Sequence, residues 1–250
     1  MFGWRKRIGY ISPTVMELVP YEFYQFAPEG VGLVGVTCNI DDLKPEEFEK
    51  ALSVVADRAS YLASRHVDYI IHGGAPLVTN RGHGFDVELI EMLEKASGRP
   101  ATTSVRAAMD SMTYLGIRRV VLATPYPERT NELTAKFVES YGFDVVHKAR
   151  LDVKFKDMQD IPPVTIYRHA LEAAAQAKDA DGLYMPCPQW CVWDVVADIE
   201  RDTGLPVICN TSANFFVAFR ELGIHDSIRG YGRLLESLSE GPMSKVPVAV

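Results

Sequence analysis

Several things are missing from this 250-residue chain, and each absence narrows what it can do. No basic run is longer than Arg5-Lys6-Arg7, and the formal net charge is -7. Nucleic acid is therefore excluded as the main partner, since binding it needs clustered cations. A small anionic ligand is not excluded, because a local field can oppose the global charge. No apolar stretch approaches the length needed to cross a bilayer, and the segment before the first strand lacks the apolar core of a secretion signal. Only four cysteines occur, at 38, 187, 191 and 209, too few and too scattered for a disulfide framework. They read as reduced thiols and place the protein in the cytoplasm.

Cofactor fingerprints are missing too. Gly30-Val31-Gly32 lacks a third glycine and precedes a strand rather than a helix, so no dinucleotide site is expected, and no phosphate loop occurs. Cys187 and Cys191 form a C-x3-C pair without a second Cys or His pair nearby, which argues against a structural zinc site. The expectation is a protein without metal or cofactor. Homo-oligomerisation is left open.

What is present is an alternation of short apolar runs with longer amphipathic stretches. Strands are expected at Arg7–Ser12, Leu33–Thr37 and Val67–Ile71, and a short one at Pro100–Thr103. Helices are expected at Pro45–Ser64, with Phe48, Leu52, Val55, Ala59 and Leu62 on one face, and at Phe85–Ala96 up to Gly98. A third, capped by Ser104, runs to Leu115. The pattern then restarts. Pro13 and Pro125 each follow a strand, 112 residues apart, and Gly30 and Gly142 have the same spacing. Gly74 and Cys187 end the third strands, 113 residues apart. Gly98-Arg99-Pro100 recurs as Gly204-Leu205-Pro206, and Leu115-Gly116 as Leu222-Gly223.

A unit of about 110 residues used twice is too long for a solenoid. It predicts an α/β protein of two similar parallel-sheet domains related by a pseudo-twofold axis, with the active site in the cleft between them. The first half covers 1–116 and the second 117–223. Residues 224–250 supply a C-terminal helix, expected at Ile228–Leu238, and a tail packing back on the first half. Gly241 to Val250 are expected to fray, and the charged segment 151–163 to form a loop beside the cleft.

Ligands in such sheets sit beyond the carboxyl ends of the strands. The duplication therefore brings Gly73-Gly74-Ala75 and Cys187 to one site. Pro186-Cys187 ends a buried strand, and Trp190, Val192, Val195 and Val196 fall on helical spacing behind it. A helix starting there would favour a thiolate. Cys187 is the candidate reacting group, as acid or nucleophile. Consecutive N–H groups at Gly73, Gly74 and Ala75 could form an anion nest. Tyr126 could donate its hydroxyl. Thr124 and Asn131 could hold a carboxylate or orient a water, although an Asn at that helix position would ordinarily face solvent. Pro13, with Ser12, shapes the opposite wall, and Gln189 flanks the thiol. His72 and His83 are considered as a second acid–base group and Arg81 as a carboxylate anchor; for each of them a packing or surface role competes.

Ser12-Pro13, Gly74 through Gly82, Thr124-Pro125-Tyr126 with Asn131, Pro186-Cys187, and Ser212 through Gly223 together resemble the aspartate/glutamate racemase superfamily. The similarity is greatest to its arylmalonate decarboxylase and maleate isomerase branch. Racemases and isomerases of that superfamily carry a cysteine at both third-strand tips. Glycine at the first tip and cysteine at the second resembles the decarboxylases. The resemblance implies a cofactor-independent lyase acting at the carbon beside a carboxylate, whose enediolate is protonated by Cys187. The alternatives are a maleate-type or racemase-like isomerase and, in another class, a non-catalytic protein closing on a small carboxylate. Ala75 and Pro76 stand where the decarboxylases have hydroxyl residues, and Pro188 has no N–H to offer an anion. Phe155, Lys156 and Asp157 stand where the isomerases have an asparagine.

Overall fold

The computed structural model describes residues 1–240; the Gly241–Val250 tail lies outside the described residues. Strand β1 (Lys6–Ser12) is followed by helix α1 (Leu18–Phe26), β2 (Val31–Thr37), α2 (Pro45–Ser64), β3 (Tyr69–His72) and the short α3 (Ala75–Thr79). Helix α4 (Phe85–Ser97), β4 (Ala101–Thr103) and α5 (Ser104–Tyr114) complete the first half. The second half runs β5 (Arg119–Thr124), α6 (Glu128–Ser140), β6 (Asp144–Arg150), α7 (Pro163–Ala175), β7 (Gly182–Met185), α8 (Val196–Thr203), β8 (Val207–Cys209) and α9 (Asn210–Glu221).

The strand orders are β2-β1-β3-β4 and β6-β5-β7-β8, the same path taken twice. Every pairing is parallel. The expected two-sheet α/β architecture is therefore the one observed. The inner strands β1, β3, β5 and β7 are buried along most of their length, which explains why their runs are largely apolar rather than alternating, whereas the edge strand β6 is half-exposed and mixed.

Local differences from the sequence reading have simple causes. The cap of α5 is Thr103, whose side chain accepts from the Arg106 N–H, so Ser104 is already inside the helix. No helix begins behind Cys187. A loop leads into a 3-10 turn at Val192–Val195, and α8 starts only at Val196. Trp190, Val192 and Trp193 are buried, so their spacing reported burial of a coiled loop rather than helical periodicity. The closing helix is one turn, α10 (Arg233–Glu236), followed by a 3-10 turn at Ser237–Glu240. Segment 151–163 contains a 3-10 turn at Phe155–Asp160.

One apolar cluster spans both halves. Phe23 of α1 packs on Phe215 of α9, ring centroids 4.7 Å apart, a burial worth about 1.5–3 kcal/mol for such a side chain. Polar groups stitch the same seam. Asn214 donates to Ser104 at 3.0 Å, Asn210 donates to Tyr10 Oη at 3.4 Å, and Trp193 Nε1 donates to Gln25 at 3.1 Å. The C-terminal segment touches both halves: Asp226 takes a two-point contact from Arg5, and Arg233 N–H donates to Glu200. No described helix is long and apolar enough to cross a membrane.

Glu22 is the unusual member of the seam. It is 2% exposed, and the Thr211 hydroxyl in the first turn of α9 donates to its carboxylate. Burial pushes its pKa from 4.5 up to about 8, with Asp194 adding to the shift and Thr211 and Cys191 opposing it. The folded protein thus holds this proton more tightly than the unfolded chain. Stability is full below the unfolded value and falls as pH rises through the folded one. Between about pH 5 and pH 8 the unfolding free energy from denaturant titration should decline, and Glu22→Gln should flatten that decline. An equal slope in both proteins would remove Glu22 from the account.

Candidate active site

The third strand of each half ends in the same unusual turn. Gly74 has φ +89° and Cys187 has φ +106°, the latter a region that side chains rarely adopt. At Gly74 the requirement is doubled, because a Cβ there would collide with the Pro13 ring. Cys187 meets the same backbone demand with a side chain, at a cost of about 1–3 kcal/mol. Nothing in the sequence signalled this strain except the position of the duplicate glycine.

Gly74 and Cys187 border one cavity, as the duplication implied. Its walls also include Pro13, Tyr126 and Gln189 of the expected residues. Most of the remainder is apolar: Ile40, Leu43, Phe48 and Leu77 were not anticipated, whereas Phe155 comes from the 151–163 segment expected beside the cleft, and Thr14 adds one hydroxyl. Phe48 had been legible only as part of the core face of α2. No charged side chain or histidine lines the cavity. Its volume is about 30 Å³, space for about one water, so a larger ligand enters only if a wall moves.

The sulfur of Cys187 lies 3.9 Å from Met158 Sδ and is 5% exposed. Burial raises its pKa from 9.0 to about 12, against the opposing pull of the Gln189 and Trp190 N–H groups and the Tyr126 hydroxyl. The sequence had suggested a helix dipole favouring the thiolate. With no helix starting there, desolvation wins and the group is a thiol at neutral pH. Tyr126 is fully buried, and its hydroxyl has no hydrogen-bond partner of normal geometry. It lies close enough to Cys187 that the two perturb each other, and its pKa is raised by burial first and the thiol second.

Thr124 and Asn131 are brought together but not into the cavity. Thr124 Oγ1 donates to Asn131 Oδ1 at 2.8 Å and accepts from the Tyr126 N–H at 3.2 Å. Asn131 is buried rather than solvent-facing because this bond satisfies its amide oxygen. The pair holds the turn that presents Tyr126. The expected three-residue nest loses a member, since Gly73 N–H donates to Ile11 O in the sheet, and a Cβ at this position would collide with the Tyr10 hydroxyl. Gly74 and Ala75 keep N–H groups without a protein acceptor among the described residues.

The other candidates lie elsewhere. His72 is fully buried, both ring nitrogens lack partners, and burial lowers its pKa from 6.5 to about 4. It does not border the cavity. Arg81 pairs with Glu49 on the surface and lies over the Phe85 ring. His83 Nδ1 is 3.0 Å from Ser140 Oγ. All four cysteines are free and buried. Among the described residues no group of three or more His, Cys, Asp or Glu could hold a metal ion.

The strain at Cys187 is testable by stability alone. In thermal or denaturant unfolding, Cys187→Gly should be more stable than Cys187→Ala by about 1 kcal/mol, because glycine accepts the positive φ freely. An alanine variant as stable as the glycine one would argue that the turn relaxes.

Comparison with known proteins fits this architecture. A family model described as arylmalonate decarboxylase matches residues 8–235. The arylmalonate decarboxylase of Bordetella bronchiseptica is 30% identical over 237 residues, covering 92% of this chain and 96% of that protein. A maleate isomerase of Pseudomonas putida is 23% identical over 249 residues, covering 92% and 96%. Among solved structures, a liganded double mutant of arylmalonate decarboxylase superposes with a TM-score of 0.86 at 27% identity, covering 92% of this chain and 98% of that one. A Nocardia farcinica maleate isomerase carrying a covalent succinylcysteine intermediate shares the fold, with a TM-score of 0.85 at 20% identity and coverage of 93% and 98%. Matched over nearly its whole length, with its cysteine and its glycine at opposing turns of one cavity, this chain belongs to the arylmalonate decarboxylase family.

Proposed function

We propose that the protein is a cofactor-independent decarboxylase of malonates whose α-carbon carries an apolar substituent. The observation that carries this reading is a protonated thiol facing an almost wholly apolar chamber. One carboxylate of the substrate lies against the free Gly74 and Ala75 N–H groups and the Tyr126 hydroxyl, donors that also meet the charge developing on an enediolate. The other lies among Leu43, Leu77 and their neighbours, where an ionised group is poorly solvated and its loss as neutral CO2 relieves the cost. The carbon–carbon bond breaks, and its electron pair enters the enediolate. Cys187 then transfers its proton to the α-carbon and becomes a thiolate, which solvent reprotonates. Gln189 and Trp190 N–H groups hold that thiolate between the two steps.

Maleate-type isomerisation needs a thiolate nucleophile in the resting enzyme. Burial works against it here, and Phe155 adds an apolar wall where a second carboxylate of maleate would need a donor. The two sequence halves, 1–116 and 117–223 with a closing segment from 224, serve as walls of one cleft. Four reduced thiols support a cytoplasmic setting.

The test is turnover of 2-methyl-2-phenylmalonate. The protein should release CO2 and, in D2O, place one deuterium on the α-carbon. Cys187→Ser should lower kcat about 10²–10⁴-fold, the range for loss of a general acid, with a smaller change in KM. Conversion of maleate to fumarate with a succinyl adduct on Cys187, and no CO2 release, would overturn the proposal in favour of an isomerase. Retained binding with neither turnover would make it a binding protein.

A further inference from the structure

Next to the apolar chamber lies a larger cavity of about 190 Å³ whose lining runs against the charge of the chain. The protein has 33 acidic and 26 basic side chains, yet Lys44 and Arg129 border this cavity and no carboxylate does. Lys44 immediately precedes Pro45 at the start of the twenty-residue α2, and Arg129 and Thr130 lie in the first turn of α6. The residues that open α2 and the first turn of α6 therefore border the same space. A cation in the first turn of a helix opposes the helix dipole. At Arg129 no ion pair offsets this among the described residues, whereas Lys44 is 2.7 Å from Asp42, outside the cavity. Asn80 adds an amide to the lining, and Thr79, 2% exposed, has a hydroxyl without a hydrogen-bond partner.

The two cavities share a wall. Leu43, Phe48 and Pro76 border both. Displacement of this wall, which any substrate larger than water requires, joins the two spaces, and a substituent that starts at the α-carbon then reaches Lys44, Arg129, Asn80 and the unpaired Thr79 hydroxyl.

We infer that the larger cavity is a subsite for an anionic group carried at the far end of the substrate's apolar substituent, so that the preferred substrates are arylmalonates bearing a ring carboxylate or a comparable oxyanion. This rests on the decarboxylase reading above, in which the chamber holds the apolar substituent. Arg129 is the principal contact, and Lys44, two-thirds exposed, adds a weaker one that salt screens. The near carboxylate is handled at Cys187, and the distant one selects the molecule.

Calorimetric binding of two product-like acids separates the claims. The native protein should bind 4-carboxyphenylacetate about tenfold tighter than phenylacetate, about 1.4 kcal/mol, and the advantage should shrink as salt rises. Arg129→Gln should bring the ratio of affinities close to one, Arg129→Lys should restore part of it, and Cys187→Ser should keep it. Equal affinities in the native protein, or a preference that survives both Arg129→Gln and Lys44→Gln, would overturn the subsite. Both substituted positions are exposed, so the variants fold. If the preference holds while neither the plain nor the carboxylated phenylmalonate loses CO2, the decarboxylase reading falls and the anion subsite stands. If both are decarboxylated without preference, the reverse holds.

Discussion

The turn after the third strand of each half must pass through positive φ to bring the chain from the sheet into the segment that follows. That backbone demand is the constraint on which the rest of the site depends. The first half meets it with Gly74, which pays no steric cost and leaves room for the Pro13 ring. The second meets it with Cys187, which stays strained. A side chain kept in so unfavourable a conformation persists only because surrounding packing over-determines it. Here the sulfur lies 3.9 Å from Met158 Sδ, and the residue belongs to the buried apolar cluster that also holds Met185, Trp190 and Val192. The gain is position: the turn carries sulfur to the end of the strand, facing the glycine turn of the other half.

Position alone does not decide what the sulfur does; its surroundings do. A helix starting at the thiol would have lowered its proton affinity and favoured attack on carbon. The coiled loop to Val195 removes that dipole, and Ile40, Leu43, Phe48, Leu77 and Phe155 exclude the water that would solvate an anion. Two backbone N–H groups and one tyrosine hydroxyl favour the thiolate, and desolvation outweighs them. In the proposed reaction the thiol proton stays on sulfur until a carbanion-like centre, a far stronger base, is generated beside it. The same apolar walls that keep the thiol neutral also penalise a charged carboxylate placed against them. Both halves of the proposed reaction therefore draw on one physical property of the cavity.

Much of this was legible in the sequence, because duplication is a pattern that survives in spacing. Gly74 and Cys187, or Gly98 and Gly204, fall at matching offsets, and from these the two sheets and the shared cleft follow without any contact being known. What the residues could not disclose was side-chain environment. Phe48 falls on the periodic core face of α2 and is indistinguishable there from Val55, yet it borders the cavity. Asn131 occupies a helix position that usually faces solvent, and only the Thr124 hydroxyl, seven residues away, accounts for its burial. Apolar spacing from Trp190 to Val196 mimicked a helix because a buried loop also needs apolar residues. Glu22 gave no signal at all: a lone acid in α1 becomes a seam residue only when α9 lies across it.

The asymmetry of the two turns has a stereochemical consequence. In the proposed reaction a planar enediolate held between them receives its proton from the side of Cys187, since Gly74 offers no acid on the opposite wall. His72 does not supply the missing group. It is one residue from the glycine turn, but its imidazole is buried away from the cavity and burial disfavours its charged form. A planar intermediate protonated from one face yields a product of a single hand. A cysteine in place of Gly74 would take a positive φ, as Cys187 does, but its Cβ would collide with the Pro13 ring, so a two-sided arrangement in this chain requires that ring to shift.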